Sequence, residues 1–186
     1  MIAALGDSLT QGYGLFPDDG FVPQLQGWLD AQGADVVVIN AGVSGDTTAG
    51  GLSRIDWTLT PEVDVMIVAL GGNDLLRGID PGVSRSNLSG ILQAAHSVDV
   101  DVLLVGMQAP TNYGAEYKAE FDALYPELAE EFMVNYYPAF FAGLLTEGDL
   151  ETVRAQFMQP DGIHPNAAGV TRIVQAMGPA VLNLID

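Results

Sequence analysis

Three short apolar runs, each stopping at a glycine-bearing turn, restrict this chain to few architectures. Met1–Leu5 empties into Gly6-Asp7-Ser8-Leu9-Thr10, and Val36-Val37-Val38-Ile39 into the turn Asn40 to Thr47 that holds Ser44, Gly45 and Asp46. The third run, Val63–Leu70, empties into Gly71-Gly72-Asn73-Asp74. Runs this short and this apolar read as strands covered on both faces, as in a parallel sheet. Between them the apolar residues recur at helical spacing. Phe21, Val22, Leu25, Trp28 and Leu29 precede Gly33, where a helix would stop. Thr47 or Thr48 can cap a helix carrying Leu52, Ile55 and Leu59 that ends at Pro61.

The alternation continues. Leu88, Ile91, Leu92 and Ala95 mark a helix, and Val102-Leu103-Leu104-Val105 a fourth strand. A long helix follows with Tyr117, Phe121, Leu124, Tyr125, Leu128 and Phe132 on one face. Its other face carries Glu116, Glu120, Asp122, Glu127, Glu130 and Glu131, and reads as solvated. A short fifth strand is expected near Val134–Tyr137, then helical pieces through Phe140, Phe141 and Leu144 and through Val153–Phe157. The last helix is expected after Pro165, with Val170, Ile173, Val174 and Met177 inward and a kink or interruption at Gly178-Pro179. No composition break or internal repeat divides the chain, so residues 1–186 are expected to form a single domain. The fold class is α/β: a three-layer α/β/α, doubly wound sheet of about five parallel strands. Handedness of the crossovers then puts every strand-end turn on one rim.

Composition narrows what can sit on that rim. The absence of cysteine removes disulfides, thiol catalysis and cysteine metal sites. A net charge of −18, from 6 Lys+Arg against 24 Asp+Glu, argues against nucleic acid and against anionic membrane surfaces. No apolar run approaches the roughly 20 residues of a bilayer span, so no stable membrane insertion is expected. The start lacks the basic n-region and cleavage site of a signal peptide. Oligomeric state is left open.

Gly6-Asp7-Ser8 places a hydroxyl at a strand's carboxyl end, where ligands bind in open α/β sheets. The same tripeptide also makes an ordinary turn whose Asp or Ser caps the next helix. A serine nucleophile needs a base within hydrogen-bond reach and a group that holds that base in one tautomer. Two histidines exist. His96, in Ala94-Ala95-His96-Ser97, reads as a residue favouring a helix's negative end. His164 lies in Asp161-Gly162-Ile163-His164-Pro165, where Asp161 can fold back onto the ring; the same carboxylate can instead cap the final helix. The backbone N–H groups of Ser8 and Gly45, with the Asn73 amide, would make a three-donor oxyanion hole. Leu75, Leu76 and Ile79, directly after Asn73, are expected to wall an acyl chain. Tyr113, Phe140 and Phe141 are weaker candidates, with core packing preferred for the two phenylalanines. Asp46 and Asp74 read as loop supports and not as metal ligands, and neither metal nor cofactor is expected. Gly12-Tyr13-Gly14 lacks the third glycine of a dinucleotide fingerprint, and Ser8 lacks the second glycine of the G-x-S-x-G elbow.

Four motifs in order, Gly6-Asp7-Ser8-Leu9, Ser44-Gly45-Asp46-Thr47, Gly71-Gly72-Asn73-Asp74 and Asp161-Gly162-Ile163-His164-Pro165, resemble those of the SGNH hydrolases, or GDSL esterases and lipases. Asn112-Tyr113-Gly114 with Tyr125-Pro126 resembles the bacterial thioesterase I/lysophospholipase/arylesterase branch. The resemblance implies a flavodoxin-like strand order. It implies Ser8 as nucleophile, His164 as base and then acid, Asp161 as orienting carboxylate, and Ser8, Gly45 and Asn73 as the oxyanion hole. The substrate implied is a small acyl ester or thioester, with a carbohydrate acetylesterase and a non-catalytic module as alternatives. Members of that branch usually carry an export signal, so a periplasmic or secreted protein is expected if one was removed, and a cytoplasmic one otherwise.

Overall fold

The computed structural model describes residues 1–145 and 150–185. Five strands, β1 (Ile2–Gly6), β2 (Val38–Gly42), β3 (Val65–Ala69), β4 (Asp101–Val105) and β5 (Asn135–Tyr137), form one sheet in the order β2-β1-β3-β4-β5. Every neighbouring pair is parallel. This is the flavodoxin-like order, in which the chain reverses direction across the sheet between β1 and β3. β1 and β3 are central and buried along their whole length, as their unbroken apolar runs require.

One helical layer holds α1 (Ser8–Gln11), α2 (Phe21–Ala31), α8 (Ala142–Leu145), α9 (Leu150–Phe157) and α10 (Ala167–Ile185). The other holds α3 (Thr48–Ser53), α4 (Ile55–Thr58), α6 (Pro81–His96) and α7 (Ala115–Phe132), with α5 (Gly72–Arg77) leaving the end of β3. The expected inward positions are filled: Leu88, Ile91, Leu92 and Ala95 of α6 and Phe121, Leu124, Tyr125 and Leu128 of α7 are all buried. The ambiguous stretch between Asn135 and Pro160 includes 146–149, which lie outside the described residues.

Several expectations are corrected. The valine-rich run at 36–39 is not covered on both faces. β2 starts at Val38 and lies at the sheet's edge, leaving Val37 59% and Ile39 39% exposed. The helix expected from Thr47 to Leu59 breaks at Arg54, whose guanidinium bonds the Asp46 carboxylate and the Ala41 and Gly6 carbonyls. Pro165 is not in the first turn of α10. It pairs with Met158 in an isolated bridge, and the Asn166 side chain accepts from the Gly169 N–H in its place. α10 also runs unbroken through Pro179; Gly178 there gives close passage to the Trp28 ring, which an added Cβ would strike. By length and composition α10 is apolar enough to cross a membrane, a property of its sequence that was not anticipated. In the fold its Val170, Ile173, Val174, Met177 and Val181 are buried, as in a core helix.

Candidate active site

The turns after β1, β2 and β3 open onto one cleft. Ser8, Gly45 and Asn73 all line it, together with His164 from the loop before α10. The cavity measures about 610 Å³.

Ser8 is the first residue of α1, separated from the end of β1 by Asp7 alone. Asp7 caps that helix by accepting from the Leu9 N–H at 3.0 Å. The capping reading of Gly-Asp-Ser therefore falls to Asp7, and Ser8 beside it is left with its hydroxyl free of the cap. The Ser8 hydroxyl lies 2.9 Å from His164 Nε2, and His164 Nδ1 lies 2.7 Å from Asp161 Oδ2. The other Asp161 oxygen accepts the backbone N–H groups of Ile163 (2.9 Å) and His164 (3.0 Å). These hydrogen bonds, that to the His164 ring first, hold the Asp161 carboxyl down at about 2. An ionised Asp161 accepts only, so Nδ1 carries the ring proton and Nε2 keeps a lone pair for the serine hydroxyl. Asp161 does not cap α10; Asn166 does.

Two donors of the expected oxyanion hole are backbone groups. Among the described residues, neither the Ser8 nor the Gly45 N–H has an intramolecular acceptor. Gly45 sits at φ +86°, a left-handed conformation that favours glycine, and its carbonyl accepts from Arg77 at 2.8 Å. The third donor, Asn73, sits at the start of α5, and its Nδ2 donates to Asp7 Oδ2 at 3.3 Å. Asp7 itself is buried, and desolvation pushes its carboxyl up to about 6 against the lowering effects of Leu9, Asn73 and His164.

The apolar walls partly match expectation. Leu75, Leu76 and Tyr113 line the cleft, and Ile79 does not; its carbonyl accepts instead from the Tyr117 hydroxyl. Phe140 and Phe141, expected in the core, line the cleft as well, although Phe140 is also fully buried. Asp74 is a buried support: it accepts from the Thr48 N–H and hydroxyl and from the Ser84 hydroxyl. Asp46 pairs with Arg54.

Two contributors were missed. Tyr13 packs its ring 4.8 Å from that of His164. The Gln159 amide donates to the Tyr13 and Pro165 carbonyls, and its backbone N–H to the His164 carbonyl, tying the serine loop to the histidine loop. The signal for Tyr13 was the flanking Gly12 and Gly14, read only against a dinucleotide motif; a lone Gln159 carries no pattern.

A family model described as "GDSL-like Lipase/Acylhydrolase family" matches residues 4–172. Esterase TesA of Pseudomonas aeruginosa is 37% identical over 185 residues, 99% of this chain and 89% of that protein. Thioesterase 1/protease 1/lysophospholipase L1 of Escherichia coli K12 is 37% identical over 183 residues, 98% of this chain and 83% of that one. The crystal structure of AlinE4, an SGNH-hydrolase family esterase, superposes with a TM-score of 0.79 at 44% identity, covering 100% of this chain and 96% of its own.

Proposed function

This chain belongs to the GDSL-like lipase/acylhydrolase family, and on that footing we propose that it hydrolyses carboxylic esters through an acyl-enzyme formed on Ser8. The observation that carries this reading is the unbroken relay Ser8–His164–Asp161, at 2.9 and 2.7 Å, opening on a cleft with apolar walls. His164 takes the Ser8 proton as the hydroxyl attacks the carbonyl carbon, then returns it to the leaving alcohol or thiol. Water next attacks the acyl-enzyme with the same base, and the acid departs. Asp161 holds the imidazole in the required tautomer and stabilises the imidazolium. The N–H groups of Ser8 and Gly45 and the Asn73 amide bind the oxyanion, each donor contributing about 2.7–4 kcal/mol to the transition state.

The acyl chain lies against Leu75, Leu76, Tyr113 and Phe141. Aryl and short- to medium-chain esters suit this cleft, and acyl thioesters and lysophospholipids follow from what the relatives are named for. Placement in the periplasm or medium rests on the family resemblance alone; fractionation of the native host checks it.

A fluorophosphonate probe tests the chemistry. The native protein takes one label on Ser8, and Ser8→Ala takes none and loses p-nitrophenyl ester turnover. Full turnover by Ser8→Ala excludes the mechanism. Acetylated sugars run beside the p-nitrophenyl series separate a carbohydrate acetylesterase from an acyl esterase.

A further inference from the structure

Asp7 is a buried carboxylate with no place in the proton relay. Capping the Leu9 N–H does not explain its charge, because Ser or Asn caps as well and brings no anion into a desolvated position. Its second oxygen faces the side chain of Asn73. We propose that Asp7 is a positioning residue that sets which end of the Asn73 amide meets the reacting carbonyl; this rests on the reading of Asn73 as an oxyanion donor.

The two ends of an amide are nearly the same size, so packing alone does not choose between them. An ionised carboxylate does, because it only accepts. The Leu9 N–H fixes Asp7 Oδ1 at 3.0 Å, which turns Oδ2 toward Asn73 Nδ2 at 3.3 Å. One amide hydrogen is thereby engaged, and the other is left for the cleft that Asn73 lines. Residue 72 leaves room for this pairing as glycine, since a Cβ there would come within 3.2 Å of Asp7 Oδ2. The other nearby carboxylate, Asp74, does not compete, being taken up by Thr48 and Ser84. A neutral amide at position 7 would still cap Leu9 with its oxygen but present N–H groups to Asn73. The Asn73 amide would then turn over and aim a lone pair, in place of a donor, at the developing oxyanion.

A double-mutant cycle tests this: kcat and KM for a p-nitrophenyl ester on the native protein, Asp7→Asn, Asn73→Ala and the double variant, each checked for fold by circular dichroism. Asn73→Ala lowers kcat by about 10²–10³-fold. Asp7→Asn lowers kcat on the same scale with KM little moved, and causes no further loss once Asn73 is alanine. A native kcat in Asp7→Asn, or an equal fold-loss in both backgrounds, overturns the proposal. A native kcat in Asn73→Ala removes that residue from the oxyanion hole and takes the proposal with it, a result distinct from failure at Asp7 alone. Asp7→Ser keeps the cap but does not reach Asn73. It is expected to show the same coupled loss, and it decides the matter if Asp7→Asn does not fold.

Discussion

At the scale of single residues, two carboxylates in one site are driven in opposite directions. Asp161 is exposed and accepts from a ring nitrogen and two backbone N–H groups, so its carboxyl sits at about 2. It therefore stays ionised through the working range. Asp161→Asn, which upsets the tautomer, is expected to lower kcat by roughly 10⁴-fold while leaving fluorophosphonate access to the cleft open. Asp7 is raised, from 3.8 to about 6, chiefly by burial. The folded protein thus holds this proton more tightly than the unfolded chain. The associated stability is fully present below 3.8 and is lost as pH rises through 6. At pH 8 the buried anion costs on the order of 3 kcal/mol. Asp7→Asn is accordingly expected to melt higher than the native protein at pH 8, with the gap closing toward pH 4. A gap that does not depend on pH would mean that Asp7 is not buried as an anion. A charge that lowers both stability and freedom of the amide beside it is what a positioning role requires.

At the scale of elements, a buried polar cluster backs the loops that carry the site, beyond what their own turn chemistry supplies. Asp74 joins the start of α3 through Thr48 to α6 through Ser84, with the Asn87 amide completing the cluster on the Thr48 hydroxyl. Asp74→Ala orphans three donors and is expected to cost about 2–4 kcal/mol. Melting should fall by roughly 5–15 °C. An unchanged melting temperature would make the cluster incidental. Helix and strand periodicity was legible here wherever packing is one-sided or fully buried: α6 and α7 present the predicted faces, and β1, β3 and β4 the predicted runs. It did not show that β2 lies at an edge, that the helix after Thr47 breaks at Arg54, or that α10 runs on through Pro179, although the inward residues of α10 are the predicted ones. A run such as Val36–Ile39 carries the same local preference at a sheet's edge as at its centre. Arg54 breaks a helix through bonds to carbonyls at positions 41 and 6, which no local window contains.

At the scale of the whole molecule, an excess of acid meets few cations. Arg85 pairs with Glu127 and Glu131, Lys118 with Asp122 and Arg54 with Asp46, and much of the acidic face of α7 remains exposed. The surface repels itself, and salt screens that repulsion as the Debye length falls from about 10 Å at 0.1 M to about 3 Å at 1 M. The melting temperature is therefore expected to rise with NaCl over this range. A flat or falling curve would show that the charge does not govern stability.

Sequence alone determined the alternation of strand and helix and the strand-end turns that carry Ser8, Gly45 and Asn73. It also marked Asp161-Gly162-Ile163-His164 as the partner segment. These are legible because hydrophobic period and turn chemistry are local, and because right-handed crossovers send parallel strand ends to a common rim. Tertiary structure alone decided the rest: that Asp7 faces Asn73, that Tyr13 and Gln159 brace His164, that Phe140 and Phe141 wall the cleft while Ile79 does not. Most of these depend on a contact between residues far apart in the chain, and a side chain's own type does not say which distant neighbour will meet it.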